Sequence, residues 1–515
     1  MPTLNWIGKD KVVSHHQEVP FKVLKKEYTF NGDKSDNLII HGDNLVALKS
    51  LLPKYENRID IMYIDPPYNT GNENWVYNDN VNDPRIKKWI GEVVGAEGED
   101  LSRHDKWLCM MYPRLKLLHK LLSDTGILFI SIDDNELHNL ILICKEIFGN
   151  ANTDILIWRK NGRQSNTKNI VRFKTTHEYV VACFKNKAKT QIGKIKHLPN
   201  WKKEKKNVDK DPRGPWESGI ISKEEEQSRP DSPNYYSITS PSGNVTTREF
   251  YYPKEELLRL LADNRIYFPK AGEGVPRLKI FENEEQEYFF DSIMDQFATF
   301  TDAKGEIEEI LGDRNIFPTP KPVKLVKEII RATSKKDSII LDSFAGSGTT
   351  GHAVLDLNNE DGGNRKFIMV EMMDYCEDIT SERMRRVING YSDKEPINDS
   401  FTYYSLGDNL FDNFGNINPA VDIQDLRQYV YYTETKKDIT QMNENKYYLG
   451  TNYKTDYYFY YEKDKVCELN YSFLSTLNRK NDSIIIYADT CTLGENDLNN
   501  FGIIFKKTPR DIVKI

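Results

Sequence analysis

Through roughly the first 390 residues, short apolar runs closed by polar or small residues alternate with stretches whose leucines and isoleucines recur at helical spacing. NLIIHGD at residues 37–43 reads as a strand, and NLVALKSLL after it as a helix. IDIMYI opens residues 59–71 as a buried strand and runs straight into a rigid polar loop, DPPYNTG. Residues 106–122 read as an amphipathic helix, GILFISID as the strand behind it, ELHNLILICKEIFG as the next helix, and DILIWRK with HEYVVACFK as a strand pair. Downstream, a proline-punctuated loop leads into an amphipathic helix over residues 315–334, NIFPTPKPVKLVKEIIRATS. SIILDSFAGSGTT at 338–350 then reads as a strand, a small-residue turn and the start of a helix. NRKFIMVE reads as a strand ending at Glu371, and MDYCEDITSERMRRVING as a helix. This alternation predicts an α/β domain around a mostly parallel sheet, with its chemistry at the carboxyl ends of the strands.

Four segments break the rhythm. Residues 1–37 are polar and mixed, and the adjacent His15 and His16 would point in different directions, so a solvated arm is expected and a metal site is not. Residues 72–102 form a long polar loop, placed either to close over a substrate or simply to be disordered. Residues 185–210 hold ten lysines against two acids, a net +8, and 211–310 continue with turn residues, the strand signals REFYY and NRIYFP, and the helical run KEELLRLLAD. Beyond about residue 395, YYFYYEKD, SIIIYADTC and GIIFKKTP suggest a small α/β appendage whose tyrosines more often pack a sheet than meet a base or a partner.

Composition bounds the class. A chain of 515 residues implies two or three domains. It carries 29% charged residues, has no apolar run of membrane-spanning length, and lacks a signal-like run in MPTLNWIGKDKVV, which predicts a cytoplasmic protein. Six scattered cysteines with no CxxC pair read as reduced thiols. A net charge of −7 gives no global signature of nucleic-acid binding, so any DNA site must be a local basic surface. The lysines of 185–210 are the candidate, and an ordinary solvated face is the alternative.

The loop after the first buried strand suits a planar amine. A nucleobase amino group is a poor nucleophile because its lone pair is delocalised into the ring, so catalysis needs acceptors for its hydrogens. Asp65 can accept one and the carbonyl of Pro66 the other, while the proline rings limit how the loop moves. Tyr68 offers a flat face to an extruded base. The same four letters also describe an ordinary strand-to-turn transition. In the second loop, the glycines of FAGSG let the backbone approach a ligand beside a helix N-terminus, and Glu371 sits about where a ribose hydroxyl needs an acid. The turn lacks the GxGxxG spacing and the lysine of a phosphate loop, which argues against a nucleoside-triphosphate site.

On DPPY and DSFAGSGTT, in that order, the sequence resembles the amino-methylating S-adenosylmethionine-dependent DNA methyltransferases of the β arrangement. HGDNLVALKSLL, then YIDPPYNTGN and the run to HEYVVACFK, resemble more closely the modification subunit of type III restriction-modification systems, strongly over residues 1–390 and more loosely in the tail. The resemblance implies an S-adenosylmethionine-dependent methyltransferase fold: Rossmann-like α/β with a mostly parallel seven-stranded sheet and permuted motif order. It adds an inserted target-recognition domain and a small C-terminal α/β domain. The implied division is an arm at 1–37, the catalytic half at 38–185, the DNA-recognition domain at 186–312, the cofactor half at 313–394 and an assembly or partner domain at 395–515. The implied activity is methyl transfer to adenine N6 in double-stranded DNA with base flipping, the implied assembly a homodimer with a helicase-nuclease restriction subunit as partner.

Carried over to this sequence, the catalytic residues are Asp65, Pro66, Pro67 and Tyr68. The S-adenosyl-L-methionine site is Asp43, Asp65, Pro320, Lys321, Asp342, Phe344, Gly346, Gly348, Thr349 and Glu371, and no metal is expected. Asn69, which also braces the loop, and Lys202, Lys203, Lys205 and Lys206 are the expected DNA contacts. Asp43 could equally cap the following helix. Aspartate at position 65 favours adenine and leaves cytosine N4 open, and the absence of any Pro-Cys pair speaks against methylation of a ring carbon. A stand-alone DNA methyltransferase, a non-catalytic recognition subunit and an RNA methyltransferase are the rivals.

Overall fold

The computed structural model describes residues 3–70, 88, 103–161, 173–197, 207–412, 414–437, 439, 445–477 and 481–512. The polar loop expected at 72–102 lies outside them except for Lys88, and so do Lys202, Lys203, Lys205 and Lys206. Contacts divide the chain into two units, Met1–Gly193 with Asp291–Ile515, and Lys194–Phe290.

The larger unit is built on a ten-stranded sheet. Its strands are β1 (Lys22–Phe30), β2 (Leu38–His41), β3 (Ile59–Ile64), β4 (Leu122–Ile132), β5 (Thr153–Arg159), β6 (His177–Phe184), β7 (Ile293–Met294), β8 (Ile339–Asp342), β9 (Lys366–Glu371) and β10 (Phe401–Asn409). They lie in the order β1-β10-β2-β9-β8-β3-β4-β6-β5-β7. From β10 through β4 every neighbouring pair is parallel, whereas β6 runs antiparallel to both β4 and β5. Parallel strands need crossovers, and these bury both sheet faces, which is why IDIMYI and KFIMVE are apolar almost throughout. The helices α1 (Asn44–Tyr55), α2 (Arg103–Leu121), α3 (Leu137–Phe148), α4 (Phe300–Leu311), α5 (Val323–Thr333), α6 (Thr349–Asp361) and α7 (Glu382–Asn389) belong to this unit. Leu48 and Leu52 of α1 and Trp107, Leu115 and Leu118 of α2 share one core with Met62, Ile64, Leu341 and Ile368 of the sheet.

The seven expected strands are β2 to β6, β8 and β9, and the sheet gains three more. β1 corrects the expectation of a solvated arm, because residues 22–30 pair antiparallel with β10 along the sheet's edge. KVLKKEYTF reads as polar since an edge strand is held by backbone hydrogen bonds and keeps its lysines in water. His16 is likewise buried, at 4% exposure. β10 comes from the region assigned to the tail. The rest of the tail forms its own sheet of β11 (Tyr448–Asn452), β12 (Thr455–Phe459), β13 (Ser483–Ala488) and β14 (Ile503–Lys507), where Tyr457, Tyr458 and Tyr487 are buried.

The smaller unit holds a three-stranded sheet of Trp216–Ile220, Arg277–Phe281 and Ile266–Tyr267, two antiparallel strand pairs and the helix Lys254–Ala262. Ile221, Tyr236, Ile238, Phe250, Leu257 and Leu278 pack its core. Beside them Lys279, 1% exposed, is ion-paired with Asp209 and, at 3.0 Å, with the fully buried Asp211.

Candidate active site

Three strand ends share one edge of the large sheet. β3 and β8 are parallel neighbours, with Ile61 opposite Ile340 and Met62 opposite Leu341. Asp65, just past β3, and Asp342, the last residue of β8, therefore leave the sheet side by side. β9 and β2 follow on one side of this pair and β4 on the other, so the crevice lies where the strand order reverses. β6 runs the opposite way, with Tyr179 across from Ile132 of β4, and brings its beginning, Glu178, to that same edge.

Both oxygens of Asp65 are engaged: Oδ2 lies 2.7 Å from Lys321 Nζ, and Oδ1 accepts from the Tyr68 hydroxyl at 2.8 Å. Glu178 Oε2 also accepts from Tyr68, at 3.1 Å, and lies 3.6 Å from Lys321, while its Oε1 accepts from Lys160 at 3.0 Å. Burial pushes the Asp65 carboxyl above its ordinary range, and Lys321 reverses only part of that. Burial acts on Glu178 in the same sense, but Lys321 and Lys160 outweigh it and leave this acid below its ordinary value. Burial pulls Lys321 down, and the two acids more than restore it. Two carboxylates and two ammonium groups thus line the crevice, and the Lys321 ammonium stands 5.1 Å from the centre of the Tyr68 ring.

The rest of the DPPYN loop is pinned from behind. The Trp107 indole donates to the Pro67 carbonyl at 2.6 Å. Asn69 adopts a left-handed φ of 59° and its amide donates to the Arg103 carbonyl at 3.1 Å and to Glu136. Glu136 is itself held by His104 at 2.7 Å and Asn139 at 2.7 Å. At 1% exposure Asn69 braces the loop, and its side chain is not presented to DNA as the sequence suggested.

On the other strand end, Asp342 accepts from the Phe344 amide at 3.0 Å and the Thr350 hydroxyl at 2.6 Å, and burial pushes it up to about 7. Glu371 accepts from the amides of Gly346 at 2.7 Å and Met373 at 2.9 Å, and burial raises it to about 7 as well. Gly346 and Gly348 take left-handed φ values of 54° and 79°, which let the chain turn tightly into α6. The Thr349 hydroxyl donates to the Lys321 carbonyl at 3.1 Å, tying the buried Pro320–Lys321 segment to this turn. Asp43 caps α1 through the Leu45 amide at 2.8 Å and pairs with Arg114 at 3.3 Å, and its neighbour Asn44 donates to the Ser343 carbonyl at 2.8 Å.

Every expected catalytic and cofactor residue thus lies on the crevice edge or in the segments bonded to it. Glu178, Lys160, Arg114, Asn44 and Glu136 were not anticipated. HEYVVACFK does carry an acid, Glu178, just before its apolar run, but only the antiparallel course of β6 says which end of that strand faces the crevice.

The Mod subunit of the type III restriction-modification enzyme StyLTI of Salmonella typhimurium is 36% identical over 387 residues, covering 71% of this chain and 57% of that subunit's length. The type II methyltransferase M.KpnI of Klebsiella pneumoniae is 32% identical over 380 residues, covering 68% of this chain and 85% of the relative. The solved M1.HpyAVI–SAM complex aligns over 67% of this chain and 98% of its own at 14% identity, with a TM-score of 0.32. Residues 59–382, which run from the strand bearing DPPY to the helix after Glu371, match the sequence profile of the N6/N4 DNA methylases, and the chain belongs to that DNA methylase family.

Proposed function

We propose that this chain is a site-specific DNA methyltransferase that transfers a methyl group from S-adenosyl-L-methionine to N6 of adenine in double-stranded DNA, as the modification subunit of a type III restriction-modification system. The observation that carries the reading is the parallel pairing of β3 with β8, which sets Asp65 of DPPY beside the FAGSG turn. The donor set fits the cofactor: Glu371 and Asp342 are buried acids, Phe344 is a partly buried ring, and Asp43 stands at the rim with an Asn44 link to the turn. Glu371 would take ribose hydroxyls and Asp43 the adenine amine, while Phe344, the glycines and the Pro320–Lys321 segment would close around the rest. S-adenosyl-L-methionine supplies a methyl group already made electrophilic by its sulfonium, so no metal is required.

This chain's own residues then have to hold the nucleophile in line. Asp65 and the Pro66 carbonyl accept the two amine hydrogens and help localise the nitrogen lone pair, and Tyr68 bears on the flipped base. Alignment of this kind is worth about 7–11 kcal/mol of a barrier. We assign target recognition to the unit Lys194–Phe290, which falls between the DPPY and FAGSG segments and within the expected span of 186–312. A homodimer, a cytoplasmic setting and a helicase-nuclease partner complete the reading. M.KpnI, of whose length the chain spans 85%, keeps a stand-alone methyltransferase as the second reading, and co-purification with a restriction subunit separates the two. The decisive experiment incubates the protein with S-adenosyl-L-methionine and mixed-sequence duplex DNA and maps modified bases. N6-methyladenine in one short motif, lost in Asp65→Ala, is expected; modification only at ring carbons or only in RNA overturns the proposal.

A further inference from the structure

The carboxylate proposed to hold the substrate amine has a partner on each of its oxygens. Lys321 sits on one oxygen of Asp65 at 2.7 Å and Tyr68 on the other at 2.8 Å. An amine that takes the place of Lys321 on Asp65 would leave an ammonium unpaired in a buried site, which is costly. The structure holds a second acceptor ready. Glu178 Oε2 is 3.6 Å from Lys321 Nζ and 3.1 Å from the Tyr68 hydroxyl, so each group has an alternative partner without leaving the crevice. Lys160, bound to the other Glu178 oxygen at 3.0 Å, fixes this carboxylate, and β6 pairs on both sides, with β4 and with β5, so the acid cannot swing away.

We infer that Glu178 is a positioning residue that receives the Lys321 ammonium when the substrate amine takes its place on Asp65. Lys321 is then a placeholder for the amine: it keeps Asp65 paired and oriented until the base arrives, and moves less than one hydrogen-bond length to release it. Glu178 touches neither base nor cofactor in this scheme and acts only through Lys321 and Tyr68. The inference rests on the function proposed above.

The test is a double-mutant cycle in the full chain with Glu178→Gln, Lys321→Met and the pair, assayed by single-turnover and steady-state methyl transfer to the DNA motif and by binding of S-adenosyl-L-methionine. Glu178→Gln keeps the shape and removes the charge. Its transfer rate should fall at least tenfold with cofactor binding and cofactor KM within threefold of wild type, because Lys321 stays on Asp65. In the Lys321→Met background there is no ammonium to receive, so adding Glu178→Gln should cost less than twofold. Additive losses, or a parallel loss of cofactor binding and thermal stability in Glu178→Gln, would make the acid merely structural and overturn the inference. Full transfer by Glu178→Gln overturns it alone. No N6-methyladenine from wild type overturns the proposed function, and this inference with it.

Discussion

The acid that ends β8 makes a quantitative test of the crevice. Asp342 is 4% exposed, and burial, assisted by the nearby Asp65 and Glu371 charges, raises its carboxyl from 3.8 to about 7 against the opposing hydrogen bonds of Thr350 and Phe344. The folded state therefore keeps a proton that the unfolded chain has released, and stability is fully present below 3.8 and lost as the pH climbs through 7. At about 1.4 kcal/mol per pH unit, the whole span is on the order of 4 kcal/mol. Roughly 1.6 kcal/mol of that is already gone at pH 5, which leaves about 2.5 kcal/mol between pH 5 and pH 8. Asp342→Asn copies the neutral acid: its carbonyl accepts from Phe344, and its NH2 can donate to Thr350, whose hydroxyl works in either direction. The variant should match wild type near pH 4 and exceed it by a margin that widens by about 2.5 kcal/mol from pH 5 to pH 8, read from urea denaturation at each pH. Parallel pH profiles for the two proteins would refute the burial argument.

Saturating S-adenosyl-L-methionine at about 100 times its Kd should stabilise the protein by about 2.7 kcal/mol in thermal or urea melts. Glu371→Ala should lose most of that gain, and an undiminished gain would remove this acid from the cofactor site. Gly348→Ala forces a residue with a Cβ to φ 79° and sets that carbon 3.2 Å from the Thr380 carbonyl, so a loss of about 1–2 kcal/mol is expected in the melt; an unchanged melting temperature would contradict it. Lys279→Met removes one of the two counter-charges of the buried Asp211, which keeps Arg213 at 2.9 Å, and should destabilise the Lys194–Phe290 unit by about 1.5–3 kcal/mol, seen as faster amide exchange across its three-stranded sheet.

By itself, the sequence determined the local chemistry. IDIMYI and SIILD announce buried strands because a parallel sheet covered on both faces admits little else, and DPPY and FAGSG announce loops because proline and glycine restrict or free the backbone wherever they stand. The helices over 103–121 and 323–333 follow from apolar residues at helical spacing. What the tertiary structure alone decided was which of these elements touch. The edge strand at 22–30 was invisible because backbone hydrogen bonds hold it, and backbone carries no sequence signature. Asn69 reads in the sequence both as a brace of the loop and as a DNA contact, and only its burial against Glu136 leaves the bracing role. Glu178 became part of the crevice only because β6 runs against its neighbours, and strand direction is set by pairing with β4 and β5 and not by the local sequence. Charges that meet from positions 65, 178 and 321 interact through space, and that distance is a property of the fold.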